Sequence, residues 1–266
     1  MAGVAKTNLP TKSTGGAKSI KDLIGIMRPE IEKALPSVLT GERFARMATT
    51  ALSQTPELQQ CSPKSFLGAM MQAAQLGLEP NTPLGQAYLI PYKNRGQLEA
   101  QFQLGYRGYI ALASRCGVTV TAHEVHENDT FSFEYGLDEK LEHKPALTDR
   151  GAVTCYYAVY HTKDGQRGFI VLSVEDVKQH RDKYSKAAGS SYSPWTTNFD
   201  SMAKKTCIKQ LLKYAPIATE FTRAVAADET IKTNITPDMM EEPDEFNYTV
   251  EAEQVEAAND NVDGES

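Results

Sequence analysis

Lys205, Lys209 and Lys213 stand four residues apart in the stretch MAKKTCIKQLLKY, residues 202–214. On a helix that spacing projects them from one face, within an arc of roughly 80°. No aspartate or glutamate lies four residues ahead of any of them to form a pair, and a row of uncompensated ammonium groups suits contact with phosphates. Ala203, Cys207, Leu211, Tyr214 and Ala215 fall on the opposite side. Lys204 falls inside that apolar arc, where an unpaired ammonium is costly to bury, so it must reach a partner or line a groove. The plainer alternative is a solvated basic face with Lys204 snorkelling to water.

A second basic group opens the stretch GYRGYIALASR, residues 105–115. It follows a faultless apolar–polar alternation over residues 97–104, the pattern of a half-buried strand. A helix starting after Gly105 presents free N–H groups that suit phosphate. Arg107 and Arg115 lie two turns apart on nearby faces, and Tyr106 and Tyr109 share a face. Aromatic stacking beside cationic backbone contacts is the usual chemistry of single-strand binding, although the same tyrosines fit a core equally well. The G-x-x-G spacing is that of the KH-domain loop, but that loop joins two helices and this one leaves a strand, which excludes it. Lys93 and Arg95 at a hairpin tip extend the basic set, as do Lys183 and Lys186 ahead of Trp195, itself a candidate to stack on a base or to pack in the core.

Catalytic and metal chemistry find weaker footing. His123 and His126 are three apart on a strand-like stretch and so face opposite sides, a poor geometry for a shared metal. Glu134, Asp138, Glu139 and Glu142 have no spacing that defines a metal set. There is no Walker A loop, which argues against an ATP-driven motor, and no serine or cysteine nucleophile in a recognisable context. The expectation is no catalytic residue, no metal and no cofactor.

These residues need elements to place them. Capping and proline signals predict helices from Ser19 to near Pro29, then before Pro36, from a Thr40 cap to about Leu52, and from Ser62-Pro63 to Gly77. The middle reads as strands: Gln86–Tyr92 and Gln97–Leu104 around KNRG, then VTVTAHEV, TFSFEYG, and Val153–His161 with Arg167–Leu172 around Asp164-Gly165. A capping-box-like start at Ser173 precedes a helix to about Arg181, and two more helices are expected at about Asn198–Tyr214 and Ala218–Ala227. Helices, then strands, then helices predict an α+β class with a small bent antiparallel sheet and hairpins against helices.

Residues 1–18 read as a disordered arm, 19–227 as one DNA-binding and oligomerising domain, and 228–266 as a disordered acidic tail. The net charge of −6 conceals an asymmetry. The tail has thirteen acids and one base, −12, which leaves +6 on the rest; a basic body with an acidic tail points to a polyanion partner. Four widely spaced cysteines without C-x-x-C, no apolar run of membrane-spanning length and no secretory leader indicate a reducing, cytoplasmic setting.

Four extended stretches, QAAQLGLEPNTPLGQAYLIPYKN, QLGYRGYIALASR, FSFEYGLDEKLEHKP and MAKKTCIKQLLKYAP, in this order, resemble the RecT family of phage and prophage single-strand annealing proteins. The resemblance runs from about Leu35 to about Ala227. It implies an ATP-independent recombinase that coats single-stranded DNA as a homo-oligomer, ring or helical filament, and anneals complementary strands through a duplex intermediate. It further implies cooperation with a phage exonuclease and with host single-stranded-DNA-binding protein. By motif position alone it supports Lys204, Lys205, Lys209, Arg107 and Arg115 as site residues; their roles come from the residues themselves, with Arg107 expected to position backbone phosphate. A DNA nuclease or nuclease accessory subunit is the alternative, and a structural oligomer with an incidental basic face a third.

Overall fold

The computed structural model describes residues 20–35, 39–94, 96–185, 188–189, 193–216, 221, 225–236 and 238–239. Helices α1 (Ile20–Ile26) and α2 (Arg28–Ala34) are separated by Met27 alone, with Pro29 in the first turn of α2, where a missing N–H is harmless. Helix α3 (Gly41–Gln54) starts where the Thr40 hydroxyl accepts the Arg43 N–H, and α4 (Pro63–Gln75) where Ser62 accepts that of Ser65. A 3-10 turn, Pro56–Gln60, joins them. Gly77, at φ +62°, ends α4 as expected of a C′ glycine. Then come β1 (Ala87–Asn94), β2 (Gln97–Leu104), α5 (Tyr106–Arg115), β3 (Val118–His126), β4 (Thr130–Glu134), β5 (Lys140–Lys144), β6 (Val153–Thr162) and β7 (Arg167–Ser173). Helices α6 (Val174–Tyr184), α7 (Pro194–Thr197) and α8 (Phe199–Leu211) follow, α6 opening with a full capping box between Ser173 and Asp176.

The class is α+β, and among the described residues the strands pair antiparallel in three small sheets rather than one: β1–β2, β3–β6–β7 and β4–β5. The β5 strand escaped the sequence reading because LDEKLEHK carries too few apolar residues to show alternation. Its place comes from Asp129 instead. The Asp129 carboxylate, wholly buried, accepts from the N–H groups of His126 and Ala146, from Arg150 and from the His143 ring on β5. Arg150 foremost holds that carboxyl far below its usual range. His143 also meets the Tyr157 hydroxyl on β6 at 3.1 Å, which ties the ribbon to the three-stranded sheet.

Helix α4 lies at the centre of the core. Phe66, Leu67, Met70 and Met71 are fully buried on successive sides of it, against α1, β1 and β2. Helix α8 lies across β3, β6 and β7 and against α5, so its buried face is wider than one apolar arc and includes Lys205, Thr206 and Ile208 besides Ala203, Cys207 and Leu211. It stops at Leu211, three residues short of the expected end, and most of the helix expected at Ala218–Ala227 falls outside the described residues.

The chain does not leave the fold at Ala227. Thr230 bridges Phe102 on the free edge of β2: Phe102 N–H donates to the Thr230 carbonyl at 3.2 Å, and Glu229 N–H to the Phe102 carbonyl at 2.9 Å. The Gln72 amide on α4 donates to the Thr230 hydroxyl at 2.7 Å and to the Ala227 carbonyl at 3.4 Å. Ile231, Ile235 and Met239 are buried. The boundary expected after Ala227 therefore runs through a packed strap. These three apolar side chains stand four apart, a helical spacing, but in a short acidic stretch without helix start or stop signals they do not mark it as packed chain. The expected arm, 1–18, and residues 240–266 lie outside the described residues.

Gly68 on α4 lies directly under this strap, and a Cβ there would sit 1.9 Å from the Lys232 carbonyl oxygen. Backbone cannot swing aside as a side-chain tip can, so Gly68→Ala should destabilise by about 1–3 kcal/mol, the usual cost of overpacking. A chain ending at Ala227 should be less stable than one ending at Met239. Urea titrations of these variants check both, and an unchanged midpoint in either would show the strap to be inert.

Candidate nucleic-acid interface

The lysine column of α8 is divided by the carboxylate of Asp228. Its side chain has no exposed surface and gathers donors from three elements. Leu104 N–H, at the end of β2, donates to Oδ1 at 2.7 Å; the Tyr109 hydroxyl, from α5, donates to Oδ2 at 2.6 Å; Lys205 Nζ, from α8, lies 2.9 Å from Oδ2. Lys209 Nζ follows at 3.6 Å, and Glu229 adds a second carboxylate 3.0 Å from Lys205. The Lys205 side chain is 4% exposed. Burial alone would lower its pKa, but Asp228 and Glu229 outweigh burial and raise it. Glu229 in turn is held below its ordinary value, first by the Lys205 charge.

Two expectations are corrected here. Lys205 is not an exposed phosphate contact: acids four residues ahead are absent, as the sequence shows, but acids on the strap replace them. Tyr109 is fully buried, with burial and then Asp228 raising its phenol pKa, so it has no face to offer a base. Trp195 is a third correction, being buried with its ring 6.0 Å from that of Phe199.

Lys204 does reach a partner, Glu124 on β3, and that contact is the first cause of the lowered Glu124 pKa. Arg115 donates to the carbonyls of Leu76 and Gly77, which capping the end of α4 leaves open, so its guanidinium joins two helices. Lys93 is half-buried at the end of β1 opposite Leu98, and Arg95 lies outside the described residues. Arg107 is exposed, with Nε donating to the Tyr106 hydroxyl at 3.2 Å.

The exposed remainder of the column continues onto α6. Lys209, with 34% of its side chain exposed, and Lys213, just past the end of α8, stand with Lys183 around His180 on α6. Burial first, then these three lysines, lower the His180 pKa, with Glu229 opposing. The His180 ring lies 4.7 Å from that of Tyr184, which Lys183 also covers at 5.2 Å. Tyr184 is 66% exposed and Tyr214 82%. Ammonium groups beside the open Tyr184 ring form a rim able to neutralise a phosphate chain and stack a flat group. His180 and Tyr184 were missed from the sequence, although their i, i+4 spacing in KQHRDKY was a readable signal. The neighbouring stretch was read only for its lysines.

Around the histidines of β3 the geometry is structural. The His123 ring packs 5.4 Å from Tyr157, and His126 Nδ1 lies 2.7 Å from the Gly151 carbonyl oxygen. Among the described residues, no three His, Cys, Asp or Glu side chains are grouped to hold a metal ion. All four cysteines are free thiols, and no helix among the described residues is long and apolar enough to cross a membrane.

Comparison with known proteins adds a lineage to this geometry. The model of the RecT family matches residues 42–245, through the strap and past it. Protein RecT of Escherichia coli (strain K12) is 43% identical over 217 residues, covering 79% of this chain and 80% of that protein. Uncharacterized protein YqaK of Bacillus subtilis (strain 168) is 30% identical over 234 residues, covering 86% and 78%.

Removing one member of a buried charge set strands the others, so Asp228→Ala should cost on the order of 3–5 kcal/mol of stability. The pH dependence follows from the pKa directions. Glu229, lowered from 4.5, contributes stability above that value that is lost as pH falls through its folded pKa. Lys205, raised from 10.5, contributes below that value and loses it as pH rises through its folded pKa. Denaturant midpoints should thus be highest between about pH 4.5 and 10.5, and Glu229→Gln should remove part of the acid-side fall. An acid limb unaltered in that variant would show that Glu229 is not coupled to folding.

Proposed function

Because the chain belongs to the RecT family, and is thereby a phage-type recombination and annealing protein, we propose that it binds single-stranded DNA along the α6–α8 rim and anneals complementary strands without a nucleoside triphosphate. The observation that carries the reading is the rim itself: Lys183, Lys209 and Lys213 near His180, with the exposed ring of Tyr184 against His180 and Lys183. Two complementary strands repel through their phosphates. Ammonium groups that line one backbone relieve that repulsion and leave base edges free. Base pairing then drives the reaction at about 1.4 kcal/mol per stacked step, so binding energy is all the protein needs to supply. Protomers side by side, as a ring or a helical filament, would extend a short rim along a strand. The same reading supports action in the cytoplasm, with a phage exonuclease supplying single strands and host single-stranded-DNA-binding protein covering them.

Glu229, 44% exposed and beside Lys205, is the carboxylate that faces this rim. It competes with phosphate for the lysines, more so at low ionic strength.

Two complementary oligonucleotides added in sequence should form a protein complex that persists without ATP, whereas a non-complementary second strand should not. Replacing Lys183, Lys209 and Lys213 together by Gln should weaken binding alike for all sequences. The slope of log K against log salt should flatten by about 0.7 per lost contact, about 2 in total. Glu229→Gln should tighten binding at low salt, with the gain vanishing as salt rises. A requirement for ATP, or a salt slope untouched in the triple variant, would overturn the assignment.

A further inference from the structure

We infer that Tyr88, Tyr106 and Arg107 form a second contact for single-stranded DNA, one that takes a nucleobase rather than the backbone alone. The inference rests on the reading that the protein binds single strands. It starts from the two glycines of GYRG. A Cβ on Gly105 would lie 2.2 Å from the Gly85 carbonyl oxygen, and one on Gly108 would lie 2.0 Å from that of Gln86. Both glycines are therefore there because the backbone of residues 85–86 crosses the start of α5 in direct contact. Gly105 N–H also donates to the Gln86 carbonyl at 3.0 Å.

That crossing sets Tyr88 beside Arg107. Gly85, at φ +63°, has the Tyr88 hydroxyl 3.1 Å and the Arg107 Cδ 3.6 Å from where its Cβ would be, so any side chain there would separate them. Alternation along β1 buries Ala87 and Leu89 and turns Tyr88 outward, 40% exposed. The Arg107 guanidinium lies 5.8 Å from the Tyr106 ring centroid, steadied by its bond to that hydroxyl.

Arg107 shares with Arg167 the lack of an ion pair among the described residues, but it has phenol neighbours. Arg28, Arg43, Arg46, Arg150 and Arg181 each pair with a carboxylate, and Arg115 is bound to helix-end carbonyls. Arg107 forms no ion pair among the described residues and is flanked by phenols, and the first turn of α5 has no acid. A flat cation beside the exposed Tyr88 and the half-buried Tyr106 offers a π-face and a charge together. That combination suits a base with its own phosphate, since among the described residues no carboxylate is paired with Arg107.

The test compares the full chain on a single-stranded oligonucleotide and on an abasic deoxyribose-phosphate strand of equal length, by fluorescence anisotropy. The wild-type chain should prefer the base-bearing strand. Tyr88→Leu should lose that preference by about fivefold or more, the least that stacking of one base gives, with abasic binding unchanged. Tyr88→Phe, which keeps the ring, should retain it. Arg107→Lys, which keeps the charge but not the flat guanidinium, should lose preference while leaving abasic binding within about twofold. Melting curves confirm that each variant is folded, and Arg107→Lys, wholly on the surface, serves if Tyr88→Leu is not. The triple Lys→Gln variant of the rim should weaken both strands and keep the preference. A wild type without preference, or variants that weaken both strands equally, overturns the base site while the rim stands. A wild type that binds neither strand overturns the proposed function and this site with it.

Discussion

The carboxylate of Asp228 is the point at which the strap, the end of β2, the start of α5 and the middle of α8 are joined. A carboxylate without exposed surface persists only when its charge and its lone pairs are answered. Here a backbone N–H, a phenol and an ammonium answer them. Without Asp228 the Leu104 N–H and the Tyr109 hydroxyl would lose their buried acceptor, and Lys205 would keep Glu229 alone. The arrangement is reciprocal, and so it orders the elements around it: β2 cannot shift without freeing the Leu104 N–H, nor α8 without stranding Lys205.

The accessible chemistry follows from that junction. Lys205, Lys209 and Lys213 have the spacing of one continuous basic face, yet only its outer end is available. Lys205 is consumed by the strap, Lys209 stands at the edge of Asp228's reach, and Lys213 is open. The face is rebuilt with a residue from another helix, Lys183, because α6 packs alongside α8. Lys204, one position away from Lys205, points to the sheet and Glu124 instead. Neighbouring lysines on one helix thus hold three different jobs, set by which element each one meets.

The start of α5 divides its residues in the same way. In GYRGY the glycines admit a crossing backbone, the second tyrosine turns inward to Asp228, the first tyrosine is half-buried and the arginine stays outside. Arg115, at the other end of α5, closes α4. A single ten-residue helix therefore carries a core anchor at Tyr109, a clamp at Arg115 and an open cation at Arg107.

Much was legible in the sequence alone. Helix starts at Thr40, Ser62 and Ser173, the stop at Gly77, the hairpins around residues 95 and 165, the α+β class and, through four extended motifs, the family all come from local signals. These signals act within about four residues and survive whatever packs against them. The tertiary structure decided the partners. The acids that neutralise Lys205 lie 23 and 24 residues downstream in what composition marks as tail, and β5 is held by a buried Asp129 rather than by its own pattern. Whether Tyr109, Tyr106 or Trp195 faces core or solvent depends on which element crosses above it. Charge pairing and burial are set by distance in space, and spacing along the chain says nothing about that distance once the chain has turned.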